Sequence, residues 1–145
     1  MNAKEYLGRI KALDQSINRK LDRATALKAL ALKVTPTLKD TGAMSGGNQD
    51  KISSAMDRYI DLNAEINRDI DELVDLQKEA YALLGYIRNQ KYYRVLELHY
   101  LKYQNFEQIG VAMGYSKRWA EKLHGRALEV FDRVLKAQKK TEERD

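Results

Sequence analysis

Residues 105–128 constrain the fold more tightly than any other stretch, because capping residues and two glycines recur there at fixed intervals. The segment reads Asn105-Phe-Glu-Gln-Ile-Gly-Val-Ala-Met-Gly114-Tyr-Ser-Lys-Arg-Trp-Ala-Glu-Lys-Leu-His-Gly-Arg-Ala-Leu128. Asn105 can cap a short helix with Ile109 and Met113 on its inner face, and Gly114 can take the positive φ that ends it. Ser116 can then cap a second helix whose inner face is Ala120, Leu123 and Ala127. Two helices crossing over so tight a turn need a small residue where their backbones approach, and Gly110 supplies it. The spacing predicts a helix-turn-helix.

The outward residues of the second helix carry the chemistry. Lys117, Arg118, Glu121 and Lys122 fall on the side that faces the major groove in a DNA-binding helix-turn-helix. Lys117, Arg118 and Lys122 are candidates for base edges or phosphates, with Arg118 suited to guanine, while Glu121 can accept from a cytosine amino group or orient Arg118. Ser116 can donate to a phosphate while capping, and Arg126 can reach the DNA backbone. Tyr115 is placed to plug the space under the turn. Trp119, one position before the inward Ala120, can either brace the domain against residues 90–100 or meet DNA. The plainer alternative is a helical hairpin with a solvated charged face.

Charge placement points the same way. The net charge of +5 is uneven: residues 1–86 hold 13 basic and 13 acidic side chains, whereas residues 87–145 hold 13 and 8. All the excess positive charge lies with the predicted helix-turn-helix, as expected of a segment that approaches phosphates. One proline and no cysteine in 145 residues suit an all-α chain without disulfides or thiolate metal sites. No apolar run approaches membrane-spanning length and no signal peptide is evident, so a soluble cytoplasmic protein is expected.

Ahead of this region lie two periodic stretches. Tyr6, Ile10, Leu13, Ile17, Leu21, Ala24, Leu27, Ala31 and Val34 alternate at three and four residues, a helical stripe. Residues 35–50 contain Pro36, Gly42, Gly46 and Gly47 and read as a turn-rich linker, with the first helix stopping by Val34 or soon after. No lysine follows these glycines in a phosphate-binding register, so nucleotide binding is not expected. The stripe resumes from Lys51 as Ile52, Met56, Tyr59, Ile66, Ile70, Leu73, Ala80, Leu84 and Ile87, widened by Leu62, Leu76 and Leu83.

Residues 1–34 carry 8 basic and 3 acidic side chains, and residues 51–86 carry 4 and 8. Opposite flanks favour pairing, so residues 1–86 are expected to form an antiparallel two-helix coiled-coil arm. The breadth of the second stripe makes the arm a candidate for homo-oligomerisation. Asn63 and Gln77 interrupt that stripe, either specifying register or lying at its edge. Asp69, Asp71, Glu72 and Asp75 read as a solvated flank. Asn89 can cap a helix from Gln90 to about Tyr100 that serves as a platform, and its tyrosines read as packing groups. Residues 136–145 read as a frayed charged tail.

The segments Tyr93-Arg-Val-Leu-Glu-Leu-His-Tyr100, Phe106-Glu-Gln-Ile-Gly-Val-Ala-Met-Gly-Tyr-Ser-Lys-Arg118 and Arg126-Ala-Leu128 resemble the promoter-binding region four of bacterial sigma factors. They are more similar still to phage and prophage regulators of late transcription, of the ArpU and RinA type, with a sigma-like C-terminal domain. That likeness extends to Leu13-Asp-Gln-Ser-Ile17 and Thr35-Pro36-Thr37. It implies an activator of phage late genes that binds double-stranded promoter DNA, with host RNA polymerase as a candidate contact. Gly110 stands where alanine is usual in such domains, a change expected to fit sterically while costing helix stability. Trp119 and Glu121 also depart from the smaller and more basic residues common there.

Two other functions compete: a recognition subunit for phage DNA packaging, similar to a small terminase, and an interaction protein whose basic face meets an acidic partner. Catalysis is not expected. His99 and His124 lie on different predicted helices without carboxylates at ligand spacing, and no metal or cofactor is called for.

Overall fold

The computed structural model describes the backbone of residues 1–41 and 46–144 and the side chains of residues 1–32 and 50–143. Among the described residues the chain is all-α, without strands. Helix α1 spans Ala3–Thr41, α2 Gly46–Leu84, α3 Gln90–Leu96, α4 Phe106–Met113 and α5 Lys117–Arg144. No described helix is long and apolar enough to cross a membrane.

Contacts gather the chain into two units, Asp14–Glu72 and the combination of Met1–Leu13 with Leu73–Asp145. Within Asp14–Glu72, α1 and α2 run antiparallel. Lys20 bonds Glu65 and Asp69 at 2.7 and 2.6 Å, Leu27 and Leu30 share a groove with Arg58 and Leu62, and Ala31 shares a hollow with Ile52 and Met56. As α1 advances, its partners on α2 recede.

The seam between them is narrow because its buried positions are mostly spaced by seven. Ile17, Ala24 and Ala31 of α1 and Ala55, Leu62 and Ile66 of α2 are buried. The expected stripe needs correction at Leu21 of α1 and at Met56 and Ile70 of α2, which are exposed rather than inward. Lys20, not Leu21, occupies the inward position; Leu21 is 42% exposed. Asp69, expected on a solvated flank, lies seven residues after the buried Leu62, and its side chain is 17% exposed against Lys20. The physical reason is mutual: each charge is tolerated near the seam because the other neutralises it. Asn63 and Gln77 are only half-buried, which puts them at the stripe edge.

Three expected boundaries also shift. Helix α1 continues through Pro36 to Thr41 rather than stopping by Val34, since proline disfavours helix at the preceding residue without forbidding it. Helix α2 begins at Gly46 rather than Lys51. Of the expected linker at 35–50, residues 42–45 lie outside the described residues. The expected frayed tail is helical to Arg144, because Ala137, Gln138, Lys139 and Lys140 are strong helix formers with no breaker among them; Asp145 lies outside the described residues.

The other unit owes its core to both ends of the chain. Ala3, Leu7 and Ile10 of α1 join Leu76, Ala80 and Leu84 of α2, Val95 and Leu96 of α3, Ile109 of α4, and Ala120, Leu123, Ala127 and Phe131 of α5 in one apolar cluster. Phe131 is fully buried, and its ring lies 5.9 Å from that of Tyr6. Burying a side chain of this size contributes about 1.5–3 kcal/mol. Polar ties fix the N-terminus here: the Ala3 amide donates to Asp132 at 2.6 Å and the Tyr6 hydroxyl to Glu79 at 2.6 Å. The first residues of α1 therefore belong to the compact unit that carries α4 and α5, which the stripe alone did not reveal.

Helix α3 starts as expected, with the Asn89 side chain accepting from the Lys91 and Tyr92 amides. It does not run regularly to Tyr100. Residues Glu97–Leu101 form a π turn, closed by the Lys102 amide on the Glu97 carbonyl at 3.0 Å. Such a turn inserts a residue and so re-aims the chain beyond it.

At the seam, Lys20→Met should lower the thermal midpoint by leaving Asp69 uncompensated, whereas Lys20→Met with Asp69→Leu should recover it to the wild-type value or above. Circular-dichroism melts check this; a double variant as unstable as the two single losses combined would show that the charges act separately.

Candidate nucleic-acid interface

The geometry of α4, α5 and their connection follows from four local features. Asn105 accepts from the Gln108 amide at 2.8 Å while the Gln108 side chain accepts from the Asn105 amide at 2.9 Å, a reciprocal capping box. Gly114 ends α4 at φ 76°, left-handed backbone that an L side chain rarely adopts. The Ser116 hydroxyl oxygen accepts from the Trp119 amide at 3.1 Å, opening α5 and leaving the hydroxyl hydrogen for another acceptor. The fourth feature is Gly110, whose carbonyl accepts from the Tyr115 amide at 2.7 Å.

That last contact is too close for any side chain. A Cβ at position 110 would sit 2.5 Å from the Tyr115 carbonyl oxygen and 3.3 Å from the Ser116 carbonyl carbon, both backbone atoms. Glycine fits here as expected, and alanine does not: in this chain the turn folds directly onto Gly110.

With the turn fixed, burial along α5 sorts its residues. Ala120, Leu123 and Ala127 are buried, while Ser116, Lys117, Arg118, Glu121, Lys122 and Arg126 are all exposed. At about 100° per residue, Arg118 and Lys122 point away from the buried line. Lys117 and Glu121 fall on one flank, and Trp119 and Arg126 on the other.

The two flanks differ in charge. On the α4 side, Lys117 and Glu121 line a shallow hollow with Asn105, Phe106 and Glu107, and Lys117 approaches Glu107 to 3.8 Å. Both partners are largely exposed, so the pair contributes little, about 0–1 kcal/mol. On the other side, two adjacent aromatic rings are flanked by cations. Lys91 lies 5.9 Å over the Tyr115 ring, Tyr115 meets Trp119 edge-on at 6.3 Å, and the Arg126 guanidinium lies 5.5 Å over Trp119. Trp119 is 39% exposed; its ring contacts are with Tyr115 and Arg126, and it remains open to solvent. Sequence reasoning missed Lys91, which joins this group only through the packing of α3 on α5.

It also missed the polar centre beneath α5. The histidine rings of His99 and His124, far apart in sequence, lie 5.0 Å apart, with Phe106 stacked on His99 at 4.5 Å. The Tyr100 hydroxyl sits 2.7 Å from His124 Nε2. His99 Nδ1 lies 2.9 Å from the Gln104 carbonyl, an acceptor, so Nδ1 carries the proton. The carbonyl reaches it because Tyr103 adopts φ 57°, a left-handed residue that no glycine signalled.

Burial lowers the pKa of both histidines. That of His124 falls to about 4, with His99 and Lys4 adding to the effect. For His99 the bond to Gln104 opposes burial, and Lys11 and Lys4 reinforce it. Among the described residues no three potential ligands gather around a metal position.

Gly110→Ala should destabilise the fold by about 1–3 kcal/mol, although helix propensity alone would favour alanine by about 1 kcal/mol; Gly125→Ala, where a Cβ meets nothing within 4 Å, should be neutral or stabilising in the same urea titration. Unfolded His124 binds a proton near pH 6.5 and the folded one only near pH 4, so its contribution is complete above pH 6.5 and is lost as pH falls towards 4. His124→Gln should accordingly flatten the decline of the thermal midpoint between pH 7 and 4, and parallel wild-type and variant curves would show that His124 does not titrate there.

Comparison of the chain with protein-family models, with curated proteins and with solved structures returns no match.

Proposed function

We propose that this chain is a sequence-specific DNA-binding regulator of transcription, with α4 and α5 acting as a sigma-region-four-like helix-turn-helix. The observation that supports it best is the arrangement on α5. Arg118 and Lys122 stand exposed opposite the buried line of Ala120, Leu123 and Ala127, on a helix whose start is fixed by Ser116 and Gly110. A recognition helix needs this combination of cations near its N-terminus and a rigid second helix behind it.

On this reading Arg118 reads a base edge, with guanine O6 and N7 as its best match, and Lys122 reaches a base or phosphate. Ser116 retains a hydroxyl hydrogen for a phosphate, and Arg126, stacked on Trp119, is pre-set to meet the DNA backbone. Lys117 is partly engaged by Glu107. Glu107 and Glu121 make the α4 flank the less favourable side for phosphates, so the duplex lies towards Arg118, Lys122 and Arg126. Late-gene activation in a phage or prophage, with a contact to host RNA polymerase, belongs to the same proposal through the sequence resemblance.

A second reading, an interaction module, draws on the exposed Trp119 beside Tyr115, since aromatic and arginine side chains anchor protein interfaces. Salt separates the two: affinity for duplex DNA should fall steeply and log-linearly as salt rises. With the bound sequence selected from a random duplex pool, Arg118→Ala should weaken specific binding by about 1–3 kcal/mol and relax preference at one base pair, read by fluorescence anisotropy and footprinting. Absence of any selected sequence, or unchanged affinity and footprint for the variant, would remove this assignment.

A further inference from the structure

Helix α2 carries a second periodic line besides its seam with α1. Met56, Ile60, Asn63, Asn67 and Ile70 succeed one another at alternating intervals of four and three, which holds them on one strip of a helix. While Ala55, Leu62 and Ile66 are buried at the seam, Met56, Ile60 and Ile70 are 40%, 58% and 40% exposed. Exposed Leu32 of α1 lies with Met56 on the wall of one shallow hollow. Single exposed apolar side chains are ordinary. A line of them at coiled-coil spacing marks an interaction surface.

The order of residues along the strip identifies its occupant. Outward from the midpoint between Asn63 and Asn67, either direction meets asparagine and then isoleucine, and the sequence series continues to Met56 on one side and Val74 on the other. A mirror-ordered strip matches an antiparallel copy of itself, with residue i facing j and j facing i, as in a two-fold dimer. We infer that two copies of this chain associate through α2, antiparallel, with Ile60 of each against Ile70 of the other and Asn63 against Asn67.

Charge selects this orientation over the parallel one. Residues 51–86 carry 4 basic and 8 acidic side chains, and parallel alignment would set every one level with its own kind. The antiparallel register instead brings Arg58 level with Glu72 and Lys51 level with Glu79, leaving Asp61 level with Asp69 and Glu65 with its own copy as the like-charged pairs. The facing amides of Asn63 and Asn67 can satisfy each other and penalise any slipped register. The inference is independent of whether the basic face of α5 binds DNA.

The test uses the full chain without DNA. Sedimentation equilibrium should give a reversible dimer, and Ile60→Glu or Ile70→Glu should raise its dissociation constant at least about tenfold while far-ultraviolet circular dichroism stays unchanged. Because the chain has no cysteine, introduced thiols report the register in a fold that the glutamates leave undisturbed. A mixture of Asn63→Cys and Asn67→Cys chains should oxidise mainly to the mixed disulfide. A monomer at all concentrations, a dimer insensitive to both glutamates, or preferential Asn63→Cys and Asn67→Cys homodimers would each overturn the inference.

Discussion

Everything proposed for α5 depends on one backbone approach, the turn after α4 folding onto Gly110. The Gly110 carbonyl takes the Tyr115 amide, and no Cβ fits between position 110 and the Tyr115 carbonyl. Two short helices could meet at many angles if side chains alone separated them; direct backbone contact removes most of that freedom. Gly114 and the two caps then fix where each helix begins and ends. The direction in which Arg118 and Lys122 point is thus a consequence of a glycine that neither side chain touches.

That contact was half legible in the sequence. The need for a small residue at position 110 could be argued from the caps on either side, and Asn105, Gly114 and Ser116 all act as their residue types suggest. The consequence for alanine could not, because it depends on which atom of the turn comes nearest, a matter of ångströms. Lys91 and the His99–His124 pair were missed for a related reason. Each is a contact between elements distant in sequence, and periodicity reports which face of a helix is buried without naming what it meets. The π turn at Glu97–Leu101 compounds this, since an inserted residue shifts the phase of every inference carried past it.

The long helices show a different limit. Lys20 and Leu21 are neighbours, and so are Asp69 and Ile70; hydrophobicity assigns Leu21 and Ile70 to the seam, while the seven-residue interval to Leu27 and from Leu62 assigns Lys20 and Asp69. Packing obeys the interval. The displaced apolar side chains remain exposed at 42% and 40%, so the choice that placed an ion pair near the seam also placed leucine and isoleucine outside it.

A single hydrophobic stripe on α2 would have served only α1. With Asp69 drawn towards the seam by Lys20, α2 presents apolar groups in two directions, and the second, with Met56, Ile60 and Ile70, is exposed. The ion pair contributes little net stability if it merely replaces apolar packing. Its larger effect is to favour one register of α1 on α2, since a slip by one turn would move Lys20 from between Glu65 and Asp69 and leave it at most one of them. Register in turn decides which side chains of α2 face outward, so the polar contact at the seam sets the composition of the exposed strip.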